Sequence, residues 1–163
     1  MLSTEHNMAA DSPQYQWLKR DLESVNRTLT PWLVVEMHRP MYDKYQKDDA
    51  VAVVVIQYEI EDLLYEYNVD LVLSAHFHAY LRTCDGLFRG KCDNGGPMHI
   101  TVGTGGAPLD GGTHAASSPW IVKYDGTHWG VGKASVLDAS TLHWEFVVVG
   151  GDVEDEVTIS RSR

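Results

Sequence analysis

Leu71-Val72-Leu73-Ser74-Ala75-His76-Phe77-His78 is the stretch on which the fold turns: an apolar run that stops abruptly at two histidines one residue apart. Val69 to Ala75 is too short for an ordinary helix and reads as a strand buried on both faces, with Asp70 at its start. In open α/β sheets, ligands gather beyond the carboxyl ends of parallel strands, which is where His76 and His78 fall. Neutral imidazole is the commonest protein ligand for zinc and iron-type metals. In an extended segment residues i and i+2 point to one side, so both rings are expected to reach one metal or two adjacent ones.

Working outward, Trp32-Leu33-Val34-Val35-Glu36-Met37-His38-Arg39-Pro40 is a second apolar run ending in a histidine, and Pro40 forces an exit from the strand by removing a ladder donor. Between the two runs Val53, Ile56, Ile60, Leu63, Leu64 and Tyr67 recur at helical spacing. Strand, helix and strand make a βαβ unit with parallel strands, so His38 opens onto the same edge as His76 and His78.

These blocks, Val35-Glu36-Met37-His38-Arg39-Pro40-Met41-Tyr42 and Ala75-His76-Phe77-His78-Ala79-Tyr80-Leu81-Arg82, resemble the last two metal-ligand blocks of the purple acid phosphatases, within the calcineurin-like metallophosphoesterases. Ser3-Thr4-Glu5-His6, Gln14 to Leu22, Thr30-Pro31-Trp32 and Pro97 to Gly103 extend the resemblance along nearly the whole chain, in order. It implies an α/β four-layer α/β/β/α sandwich, two mixed sheets face to face with helices outside, and a dinuclear centre at the strand ends. By that resemblance His38 and His76 bind a divalent zinc, manganese or iron and His78 binds ferric iron. The implied chemistry is hydrolysis of phosphate monoesters by an acid phosphatase, the metals neutralising charge on the phosphoryl oxygens.

The family's remaining ligands, carboxylates, a tyrosine and an asparagine, come from earlier blocks written GDxG, GDxxY and GNH[DE]; none occurs here, and Gly151-Asp152 is the only Gly-Asp pair. The chain, residues 1–163, therefore resembles the C-terminal half of the catalytic domain: a ligand-bearing βαβ segment over residues 1–83, a cysteine loop over 84–92 and a β-rich segment over 97–163. An upstream half, in the same precursor or as a separate chain, is the expected partner, and the chain alone is expected to be inactive. The alternative is a non-catalytic remnant serving as a structural or binding subunit. Ala75 stands where the family usually has glycine, so a backbone of positive φ there would cost about 1 kcal/mol. Leu81 replaces a glutamate that would orient a ligand imidazole.

A formal net charge of −10 argues against nucleic acid as a partner, since phosphate backbones are bound by basic surface. No apolar run reaches the roughly 18 residues of a membrane helix. No signal peptide is read at Met1-Leu2, which has neither a charged leader nor a long apolar core. By resemblance the compartment is secreted or a vacuolar or lysosomal lumen. Cys84 and Cys92 have the spacing of a small disulfide loop, with two free thiols as the other possibility. Asn26-Arg27-Thr28 is a glycosylation sequon.

His6 is the candidate general acid of this chain, at a position where the family has a strand near its pocket. Asp11-Ser12-Pro13 starts a helix with Trp17, Leu18, Leu22 and Val25 as its buried face. The loop from Tyr42 to Asp49 has no histidine; Lys44 and Lys47 are its cations. Gly103-Thr104-Gly105-Gly106 is a turn that the resemblance sets beside the site, and His114 falls at its edge. Four stretches read as a C-terminal antiparallel meander: Trp120 to Tyr124, Gly130 to Leu137, Leu142 to Val149 and Val157 to Ser160. His99, His128 and His143 are read as structural.

Overall fold

The computed structural model describes residues 1–43, 50–112 and 118–161. Lys44, Lys47 and His114 lie outside the described residues. The first helix, α1 (Pro13–Ser24), begins where Ser12 Oγ accepts the Tyr15 N–H at 3.1 Å, with proline in the first turn. Its buried residues are Leu18 and Leu22, with Tyr15 packed partly beside them. Trp17, expected inside, is 43% exposed; it lies about 100° from Leu18 around the helix, on the edge of the stripe.

The two strands that lead to the candidate histidines are β1 (Val34–Glu36) and β2 (Leu71–Ser74), joined through α2 (Ala50–Glu66) and paired in parallel, Val35 opposite Val72. β1 is shorter than the apolar run suggested. The buried side of α2 is Val53, Ile56, Ile60, Leu63 and Leu64, the residues its spacing marked. Beyond β2 the chain reverses into β3 (Tyr80–Thr83), then runs through the cysteine loop to β4 (Met98–Val102) and β5 (Ile121–Asp125). The sheet order is β1-β2-β4-β3-β5, with β4 parallel to β2, and β3 antiparallel to both β4 and β5. The segment Trp120 to Tyr124 therefore belongs to this mixed sheet and not to the meander. β3 draws it there: β4 takes one edge of β3, and the other edge has a row of backbone donors and acceptors that needs a partner.

The meander has three strands, β6 (Gly130–Val136), β7 (Thr141–Val148) and β8 (Val153–Ser160), in that order. Alternate residues of β7, Leu142, Trp144, Phe146 and Val148, face Leu71, Tyr80, Met98 and Ile100 of the larger sheet across one apolar core. The opposite face of that sheet, through Val35, Met37, Val72 and Leu81, packs on α1 and α2. The described residues thus supply helices, sheet and sheet, three of the four expected layers. Where β7 and β8 meet β3, Asp155 takes a double bond from Arg82 (2.6 and 2.9 Å) and a third from the Tyr80 hydroxyl (2.7 Å).

Candidate metal site

Strand β2 ends at Ser74, and the chain then turns instead of staying extended. Phe77 N–H donates to Ala75 C=O and Ala79 N–H to Phe77 C=O, each at 2.8 Å. The positive φ of this turn, 64°, is carried by His76 and not by Ala75. The turn therefore sends the two histidines apart, contrary to the same-side placement of an extended strand. His76 faces back toward β1, while His78 Nδ1 donates to Pro108 C=O at 2.8 Å.

On β1 the exit is locked to this turn by Ala75 N–H donating to His38 C=O at 2.9 Å. That lock brings His76 Nδ1 within 3.0 Å of His38 Nε2, the rings meeting edge to face. Arg39 Nη1 stands 3.2 Å from His76 Nε2 and its Nε donates to Glu5 at 2.7 Å. A guanidinium only donates, so His76 Nε2 accepts, and in the neutral ring Nδ1 carries the proton and donates to His38. The same Arg39 hydrogen bond holds the Glu5 carboxyl below the usual range.

The glycine turn after β4 does lie against the site. Gly103 N–H donates to Ala79 C=O at 3.0 Å, and a Cβ on Gly103 would stand 1.7 Å from the Phe77 carbonyl oxygen, so only glycine fits there. His38 also lines a cavity of about 600 Å³ with Leu2, Thr4, Glu36, Leu73 and Ala75. His6 is not among these residues: its Nδ1 is 2.7 Å from Ser3 Oγ, and it lines a different cavity with Met8, Val51, Val55 and Glu59 on α2. Among the described residues no three His, Cys, Asp or Glu side chains form a ready cation cage. Leu81, in the position of the family's glutamate, packs in the helix-side core.

Two family models match the chain: calcineurin-like phosphoesterase over residues 2–80, and iron/zinc purple acid phosphatase-like protein C over residues 96–156. The chain belongs to the purple acid phosphatases. Purple acid phosphatase 22 of Arabidopsis thaliana is 34% identical over 148 residues, 90% of this chain and 33% of that protein. Fe(3+)-Zn(2+) purple acid phosphatase 12 of Arabidopsis thaliana is 36% identical over 109 residues, 58% of this chain and 22% of the relative. Purple acid phosphatase PPD1 from yellow lupin (Lupinus luteus) seeds superposes with a TM-score of 0.81 at 27% identity, covering 98% of this chain and 30% of that one. The fold is accordingly that of the metallophosphoesterases of this family, in its C-terminal portion. The chain spans about a third of the length of the curated relatives that match most of it.

The remaining candidate positions are simply placed. Cys84 and Cys92 are joined in a disulfide. Asn26 is exposed just after α1, its Oδ1 accepting Thr28 N–H at 3.0 Å. His128 pairs with the buried Asp125 at 2.7 Å, and His143 stands 3.7 Å from Glu156. Sequence reasoning assigned Arg39 no role beside His76; a cation one residue after the candidate His38 was the available signal.

Proposed function

We propose that this chain contributes the histidine half of a dinuclear centre, iron together with zinc, manganese or a second iron, that hydrolyses phosphate monoesters. The observation that carries the reading is the approach of His38 Nε2 and His76 Nδ1 to 3.0 Å at the carboxyl ends of two parallel strands. Two nitrogens each about 2.0–2.1 Å from one tetrahedral zinc stand about 3.3 Å apart, so this pair fits a shared divalent ion. His78, turned away by the positive φ of His76, suits a second ion. When bound, the metals supply Lewis acidity toward a phosphoryl oxygen. The chain's own role is to orient the rings: the Ala75–His38 backbone bond sets their separation, and Pro108 C=O fixes the His78 tautomer. Loading requires His76 to shift its proton from Nδ1 to Nε2 and Arg39 to release Nε2, a tautomer exchange within a ring that stays neutral.

The carboxylates, tyrosine and asparagine of the centre come from an upstream half, covalent or separate, which is the proposed partner. His6, bonded to Ser3 and lining a cavity other than that of His38, is the candidate general acid of this chain; a group of the upstream half is the other source. The disulfide and the Asn26 sequon support a secreted, vacuolar or lysosomal location. Among the described residues no helix is long and apolar enough to cross a membrane. A second reading, a non-catalytic structural subunit, is favoured by one observation: only two imidazoles converge among the described residues.

Metal content of natively purified material, with its co-purifying polypeptides identified, separates the two. About two metals per chain, iron included, accompanied by a polypeptide bearing the missing carboxylates, is the expected result. Less than one metal and no such polypeptide overturns the enzyme reading. In the loaded protein His78→Ala is expected to abolish phosphatase activity and remove one metal with the fold intact.

A further inference from the structure

The chain leaving β1 is anchored from the helix side of the sheet. Tyr42, four residues beyond His38 and 4% exposed, donates its hydroxyl hydrogen to Glu61 of α2 and accepts the Gly90 N–H at 3.1 Å. Glu61, itself 6% exposed, also accepts the Arg89 N–H at 3.0 Å. Both amides come from the tip of the Cys84–Cys92 loop. There Phe88 and Lys91 exchange two backbone bonds of 3.0 Å around Arg89 (φ 50°) and Gly90 (φ 72°). Two central residues of positive φ closing a two-residue hairpin form a type I′ turn.

Consecutive N–H groups of this tip converge on the Tyr42–Glu61 pair, as backbone amides do in anion nests. The tip is also fastened to α2 from outside. Phe88 stacks on Tyr65 at 4.0 Å and Arg89 grips Asp62 with two bonds of 2.9 and 2.8 Å. On the other side the Tyr42 ring meets Trp120 edge to face at 5.2 Å, and Trp120 C=O accepts the Cys84 N–H at 2.8 Å. Tyr42 is thus gripped by both the tip and the base of the disulfide loop. A buried carboxylate stripped of such donors is costly, so the grip depends on the loop keeping its shape.

We propose that the Cys84–Cys92 hairpin is the seat of Tyr42, and that Tyr42 is through it a positioning residue for His38. Pinning Tyr42 confines the four-residue segment that precedes it, and with it the imidazole that approaches His76. Met41, at 1% exposure, and Pro40 leave that segment little slack.

Two variants test this on the full chain: Tyr42→Phe, which keeps the ring against Trp120 and removes only the hydroxyl, and Cys84→Ser with Cys92→Ser. Amide hydrogen exchange without metal is expected to quicken at least about tenfold over residues 37–43 in both, and by more there than over β7. Unchanged exchange over 37–43 in Tyr42→Phe overturns the anchoring. Zinc affinity, read by competition with a chelating dye, is expected to weaken by about tenfold in Tyr42→Phe. Unchanged zinc affinity beside quickened exchange overturns the positioning of His38. The zinc arm rests on the proposed metal site and the exchange arm does not. A wild-type chain that takes up no zinc therefore overturns the metal reading, while the exchange comparison still decides the anchoring.

Discussion

His99 shows how much a single residue can owe to its surroundings. It is 4% exposed on β4, its ring against Tyr42 at 4.8 Å and its Nε2 without a partner among the described residues, and burial lowers its pKa to about 3 from 6.5. It is neutral in the fold and takes up a proton on unfolding. Its contribution is whole above the unfolded value near 6.5 and is lost as pH falls toward about 3. The loss runs at about 1.4 kcal/mol per pH unit between about pH 6 and 4. Urea unfolding of wild type and His99→Phe at about pH 7 and about pH 4.5 should show a far smaller acid loss in the variant; equal losses would sink the idea. His128 runs the opposite way. The hydrogen bond to Asp125 raises its pKa, so what it adds is present below 6.5 and fades as pH rises through the raised value. For Asp125, burial alone would raise the pKa, but the bonds from His128 and Thr127 outweigh it and hold it low. At this scale the three candidate histidines stood out because two apolar runs stop at them. The isolation of His99 and the positive φ of His76 were not, since both arise from what the fold packs around them.

At the scale of elements, β3 is the joint between the sheets. Arg82 and Asp155 are both nearly buried, and the Tyr80 hydroxyl accepts the Trp144 N–H at 3.0 Å while donating to Asp155. Removing one partner of such a pair leaves a buried charge uncompensated, so Asp155→Ala is expected to cost about 3–5 kcal/mol in urea unfolding. Tyr80→Phe, which keeps the stack on Phe146 at 4.1 Å, should cost only about 1–2 kcal/mol. A smaller loss for the alanine than for the phenylalanine variant would refute this ranking. α1, α2, β2 and β4 could be recognised from period and caps. β3 could not, because four residues between a turn and a disulfide loop have too little periodicity of their own, and β5 was given to the wrong sheet because strand order is a long-range property.

For the whole molecule, the disulfide is the strongest single constraint on the unfolded chain. Closing a ring of its size is expected to stabilise the fold by about 2.5 kcal/mol in the chain-entropy account. The double serine variant should therefore melt several degrees lower, as read by circular dichroism. The inner face of β1 is left bare at Val34, 39% exposed, and at Glu36, while Val131 and Val136 of β6 are 62% and 59% exposed. Relatives that continue for roughly twice this length again have the chain to cover such surfaces. The isolated chain is expected to bind an apolar dye and to associate with rising concentration in sedimentation, and a clean monomer without dye binding would count against an uncovered core edge.

By itself the sequence determined the parallel βαβ unit, the buried face of α2 and the disulfide spacing. These are written in local period, in strand length and in the abrupt end of apolar runs, which depend only on near neighbours along the chain. Tertiary structure alone decided the rest: which sheet took Trp120 to Tyr124, that His76 rather than Ala75 carries the left-handed turn, that His38 and His76 converge while His78 turns away, and that the tip of a distant hairpin seats Tyr42. Each of these depends on backbone partners far apart in the chain, and no local pattern records which partner is found.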